Sequence, residues 1–122
     1  MEDLPPRVVT EINRIRRANP ALQQTSNIRF LGVEHQDVIA YVKHSPDETN
    51  AVVVAIGLTR DFKEFWLPLA DVQVRTADGA LRPIAALENL KSGPTSRLSH
   101  GGVKLWIDPM HDPFLIFRCL GE

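Results

Sequence analysis

Apolar positions along the chain change their period once, at Pro20. Upstream, Val8, Ile12 and Ile15 recur at helical spacing and make an apolar stripe. Asp3 is placed to cap this helix, and Pro5 and Pro6 suit its first turn, where an N–H has no intrahelical partner. Asn19 precedes Pro20, and a residue before proline is pushed out of the helical region, so the helix is expected to end at Ala18 or Asn19.

Downstream of Pro20, short apolar or alternating runs are separated by turn residues, the pattern of an antiparallel β structure. Ile28 to Val33 and Val38 to Lys43 read as a hairpin joined through Glu34 to Gln36. After the turn formers Ser45 to Asn50, Ala51 to Leu58 is nearly continuous in apolar residues, as a strand buried on both faces would be. Glu64 to Leu69 is a short strand whose Pro68 places it at an edge or ends it. Asp71 to Thr76 alternates, Asp78-Gly79 turns, and Arg82 to Leu90 resumes with Ile84, Leu87 and Leu90. Thr95 to Ser99 and Val103 to Ile107 flank His100-Gly101-Gly102 and are expected to form a second hairpin. Pro113 to Leu120 is the closing strand.

About seven or eight strands after one helix, with no alternating helices, need two packed layers to bury one face each. The expected fold is mainly β: an antiparallel β-sandwich with Greek-key connections, preceded by one N-terminal α-helix.

The 122 residues fit one domain able to bury roughly two-thirds of its unfolded surface. With 43% hydrophobic and 24% charged residues, disordered and fibrous classes drop out. The 14 basic and 15 acidic residues nearly cancel, which argues against a general nucleic-acid surface. No apolar run approaches the roughly 20 residues of a membrane span, and MEDLPPR lacks the blocks of a signal peptide. A cytoplasmic location is therefore expected. The single cysteine, Cys119, excludes an internal disulfide and cysteine-based metal sites, and its apolar run suggests a buried structural thiol.

Candidate chemistry is sparse. His35, His44, His100 and His111 are scattered among turns. Asp108, His111 and Asp112 cluster, but Asp-Pro pairs are ordinary turn chemistry, and no metal or other cofactor is implied. There is no phosphate-binding glycine loop and no Gly-x-Ser-x-Gly elbow. Glycoside chemistry needs two carboxylates roughly 5 to 9.5 Å apart, whereas the acidic residues here fall mostly in turns or at strand ends. Arg7, Arg14, Arg16 and Arg17 give the helix a basic side, read as a solvated or interdomain face. Tyr41, Trp66 and Trp106 are candidates for stacking on sugar rings. Trp106 alternates with Val103, Leu105 and Ile107, so it faces outward if those three are core.

Longer motifs give a more specific signal. The stretch EINRIRRANPALQQTSNIRFLGVEHQDVIAYVKHSPDETNAVVVAIGL resembles the junction between the last barrel helix and the C-terminal domain of bacterial alpha-1,4-glucan:maltose-1-phosphate maltosyltransferases, members of glycoside hydrolase family 13, the α-amylase family. The residues that carry the likeness are Ile12 to Gln23, Arg29-Phe30, Asp37 to Tyr41, Lys43 to Asp47 and Val52 to Leu58. It resumes at Leu87 to Leu90 with Ser92-Gly93 and from Val103 to Arg118, while Arg60 to Ala86 departs in length and composition.

The resemblance implies that residues 1–20 are the last helix of a barrel and residues 21–122 the β-sandwich C-terminal domain. The parent would be a glycosyltransferase that extends α-1,4-glucan from maltose 1-phosphate. The family's catalytic carboxylates belong to the barrel, and no position here matches them, so no catalytic residue is carried over. Val8, Ile12, Ile15, Arg14, Arg16 and Arg17 become the expected interdomain interface. The expected partners are the catalytic (β/α)8 barrel, an α-glucan, and a second copy of the chain where apolar surface is left bare. The alternative is a stand-alone α-glucan-binding module using Trp66, Trp106 and Tyr41.

Overall fold

A computed structural model describes residues 6–23, 27–110 and 114–121, with side chains described from Thr10 onward except at positions 11 and 12. Helix α1 (Pro6–Ala18) ends where the Asn19-Pro20 pair predicts and passes into a single 3₁₀ turn, Pro20–Gln23. The expected cap Asp3 and the adjoining Pro5 lie outside the described residues.

Among the described residues nine strands follow: β1 (Ile28–Phe30), β2 (Val38–His44), β3 (Ala51–Gly57), β4 (Lys63–Pro68), β5 (Gln73–Arg75), β6 (Leu81–Asn89), β7 (Thr95–Arg97), β8 (Gly102–Ile107) and β9 (Phe114–Gly121). The large sheet has the order β1-β2-β3-β9-β6-β5, with β7 also on β6, and β4 and β8 form a separate two-stranded sheet. All pairings are antiparallel. β9, the last of the described strands, lies between β3 and β6, a crossing of the Greek-key kind the strand count predicts.

Side-chain alternation distributes the strands' residues between two cores. Ala51, Val53 and Ala55 of β3, with Leu115, Phe117 and Cys119 of β9, face Phe65, Leu67, Leu105 and Ile107 of the small sheet. The opposite parity, Val52, Val54 and Ile116, meets Ile15 and Ala21 beneath the helix. β3 is thus buried on both faces, as its unbroken apolar run predicts. β4 pairs only with β8 and ends at Pro68, so its proline removes no inner ladder bond.

Ile84 and Leu87 both enter the main core although three residues apart. A break in register between Ile84 and Ala86 reconciles that spacing with a strand, because the bulge flips the alternation once.

One expected hairpin is corrected. His100 and Gly101 both have positive φ, and Ser99 and Gly102 exchange backbone hydrogen bonds of 2.8 and 3.3 Å, so the turn itself forms. The pairing stops at that bridge. Thr95–Arg97 instead joins the open edge of β6, whereas Gly102–Ile107 joins β4 in the other layer. The physical reason lies in burial: Thr95, Ser96 and Arg97 are all exposed, while β8 carries Leu105 and Ile107 into the core.

Cys119 is buried in the main core, and loss of hydration pushes its thiol up to about 12. A thiol held neutral and out of contact with solvent should react with an aromatic disulfide reagent only as the chain unfolds. Stopped-flow labelling in buffer and in denaturant checks this, and full modification of native protein within the mixing time would contradict it.

Candidate functional site

The small sheet presents an outer face that no other described strand covers. On it, β4 and β8 set Glu64 opposite Trp106 and Trp66 opposite Lys104. Lys104 Nζ reaches Glu64 Oε1 across one diagonal at 2.7 Å, and the two tryptophans occupy the other. Trp106 is 62% exposed, which agrees with the alternation that puts Leu105 and Ile107 inside. Trp66 is 45% exposed and lies against the backbone of Gly102, where a Cβ would come within 2.6 Å of the indole.

A separate groove borders each tryptophan. Trp66 shares one with Glu34, His35 and Glu64. Trp106 shares another, of about 360 Å³, with Asn89, Ser92, Ser96 and Asp108, floored by apolar side chains of β8 and β9. Asn89 Oδ1 accepts the backbone N–H groups of Lys91 at 2.9 Å and Ser92 at 3.0 Å, which fixes the orientation of its amide. Asp108 Oδ1 accepts the N–H of Met110 at 3.3 Å. Asn89, Ser92 and Ser96 carry no signal of a site in the sequence, because each reads by itself as turn or exposed-strand polarity, whereas Asp108 stands in the acidic and histidine cluster. Pairing of β6 with both β7 and β9 brings Asn89, Ser92 and Ser96 beside Trp106, while Asp108 lies two residues from it in the chain.

Tyr41 does not join the tryptophans. Its parity on β2 sends it to the helix side of the large sheet, edge-on to Phe30 with ring centres 6.1 Å apart. Partial burial there raises the phenol's pKa. Phe30 is 68% exposed, and with Ile28 and Ile39 it leaves an apolar strip beside the helix. No local pattern signals this exposure, since a hydrophobic strand residue is ordinarily assigned to a core.

Among the six helix residues expected at an interface, Ile15 is 2% exposed and packs with Val52, Val54 and Ile116. Arg14, Arg16 and Arg17 are exposed, and the side chains of Val8 and Ile12 lie outside the described residues. Lys43 lies buried on this side of the sheet; desolvation, then the charge of Arg16, lowers its pKa.

A hydrogen-bonded chain fastens the helix end to the β2–β3 turn. Asn19, 2% exposed, donates from Nδ2 to Ile15 O at 3.0 Å and accepts at Oδ1 from Asn50 Nδ2 at 3.1 Å. Asn50 Oδ1 in turn accepts the N–H of Ala21 at 3.0 Å. The Asn-Pro pair of the sequence is therefore both a stop and an anchor.

Asp108 belongs to the expected acidic and histidine cluster, but His111 and Asp112 lie outside the described residues. Among the described residues, no group of three histidine, cysteine or acidic side chains gathers as a metal set, and no helix is long and apolar enough to cross a membrane.

A helix-backed antiparallel sheet facing a two-stranded layer is the β architecture found within α-amylases. The chain superposes over 95% of its length on part of the protein AmyP solved with maltotriose, with a TM-score of 0.66 at 20% identity, covering 20% of that chain. An Anoxybacillus α-amylase gives 0.62 at 18% identity, over 93% of this chain and 22% of the other. In sequence the chain is a relative of the bacterial alpha-1,4-glucan:maltose-1-phosphate maltosyltransferases. It is 32% identical over 114 residues to that of Rhodospirillum rubrum, covering 91% of this chain and 16% of the relative. The Salinibacter ruber enzyme is 50% identical over 65 residues, 52% of this chain and 10% of the relative. The chain thus spans about a sixth or less of the length of these curated relatives. No protein-family model matches it.

Proposed function

We propose that this chain is the noncatalytic C-terminal domain of an α-amylase-family maltosyltransferase, one that extends α-1,4-glucan chains from maltose 1-phosphate in the cytoplasm. Residues 1–20 are the last helix of the catalytic barrel and residues 21–122 the β domain that caps it. The observation that carries this reading is the apolar strip of Ile28, Phe30 and Ile39 beside the helix, bare on the same face to which Asn19, Asn50 and Ile15 anchor that helix. Such a contiguous apolar surface next to a chain entry point suits a neighbouring domain. Arg14, Arg16 and Arg17 would line the rim of that contact, where exposed charges set orientation more than affinity.

Two results test it. The 122-residue chain, given maltose 1-phosphate and a glucan acceptor, is expected to transfer nothing; measurable turnover would refute the noncatalytic assignment. With the barrel missing, the strip is expected to drive self-association that Phe30→Ser with Ile39→Ser abolishes. Light scattering that finds a strict monomer at high concentration counts against the docking face. The second reading, a stand-alone α-glucan-binding module, draws its support from Trp66 and Trp106 on the opposite layer.

A further inference from the structure

The Trp106 groove lies on the small-sheet side of the sandwich, away from the helix, so a neighbour seated on the helix face leaves it open. Its chemistry combines one large flat apolar surface with short neutral polar groups: the indole, the Asn89 amide, and the hydroxyls of Ser92 and Ser96. Asp108 adds a carboxylate acceptor, and neither lysine nor arginine lines the walls. An anion would find no countercharge there, and a purely apolar ligand would leave the rim unpaired. The volume, about 360 Å³, lies within the usual range for small-molecule sites.

A ligand that suits this lining is neutral, has an apolar C–H face to lay on the indole, and carries hydroxyls around its edge. That description fits a pyranose ring. We propose that the groove beside Trp106 is a binding subsite for a segment of α-1,4-glucan chain. One sugar ring stacks on Trp106 and its hydroxyls meet Asn89, Ser96 and Asp108. The choice of the α-1,4 linkage rests on the maltosyltransferase reading above; the recognition of a sugar ring rests on the groove itself. Trp66 is not the stacking platform, since its ring is seated on Gly102 and its own groove is lined by Glu34, His35 and Glu64.

Titrating maltoheptaose into the 122-residue chain, followed by tryptophan fluorescence and amide chemical shifts, is expected to give saturable changes centred on Trp106, Asn89 and Ser96. Trp106→Ala should weaken binding about tenfold, equivalent to ~1.4 kcal/mol. Trp66→Ala should change it less than about twofold, which the stacking on Trp106 alone predicts. Because Trp106 is mostly exposed, its loss should leave the thermal midpoint in place, which separates a lost contact from a lost fold. Silence up to about 10 mM maltoheptaose, a loss that follows Trp66 instead, or equal binding of cellohexaose would each overturn the proposal. Silence accompanied by self-association through Phe30 and Ile39 would remove this subsite while leaving the domain assignment standing.

Discussion

Gly102→Ala is expected to destabilise the fold by about 3 kcal/mol, although alanine ordinarily gains up to about 1 kcal/mol over glycine within a strand. The sign is decided by space. A Cβ at this position would lie 2.5 Å from Leu67 O and 2.6 Å from the Trp66 ring. The ring could be pushed outward cheaply if it stood alone, but the carbonyl belongs to backbone in the last two pairs of the β4–β8 ladder, and Leu67 is fully buried. Relieving the clash means parting β4 from β8 at this end of their ladder, beside the buried Leu67. Urea unfolding followed by Trp66 fluorescence measures the cost, and a value under about 1 kcal/mol would show that the small sheet yields more easily than close packing allows.

Asn19→Ala should cost about 2 to 3 kcal/mol, a large figure for so small a truncation, because it orphans two groups at once: the buried Ile15 O and the half-buried Asn50 Nδ2. Asn50→Ala should cost a similar amount, since the N–H of Ala21 also loses its acceptor. The two asparagines act through one network, so the double variant should be less destabilised than the sum, with a coupling of about 1 kcal/mol. Strict additivity in chemical denaturation would mean that the helix end and the β2–β3 turn are held independently. Hydrogen exchange gives a second view: in either variant the amides of residues 13–22 should open at lower free energy while those of β9 keep their protection.

The sequence made some of this architecture legible, for reasons visible in particular residues. The helix stop was readable because Asn19-Pro20 acts locally, through sterics that depend on two residues. β3 was readable because burial on both faces leaves no polar position from Ala51 to Ile56. The outward placement of Trp106 followed from simple alternation. The failed hairpin at residues 95–107 shows the opposite case. Its turn chemistry was read correctly, yet which sheet receives each arm depends on the open edge of β6 and on the core beneath β8, and neither is encoded in the turn. Leu87 is similar, since its inward direction depends on a bulge three residues upstream that no local signal announces. The site was least legible. Trp66 and Trp106 share a face as strand residues can, but Tyr41, alike only in residue type, lies on the helix side of the large sheet. The polar rim of the Trp106 groove joins the stretch from Asn89 to Ser96 with Asp108 across a sheet pairing, and composition carries no trace of that convergence.

The place of β9 has a consequence for how the polypeptide is made. Every other described strand leaves the ribosome before Phe114–Gly121, yet the large sheet has β3 on one side of that segment and β6 on the other. Until it arrives, β1-β2-β3 and β5-β6-β7 are two unjoined fragments, each exposing a row of unpaired N–H and C=O groups where the last strand will insert. The nascent chain therefore reaches its full cooperativity in a single late step, and during synthesis its two halves offer each other, and any neighbouring copy, an open edge to pair with.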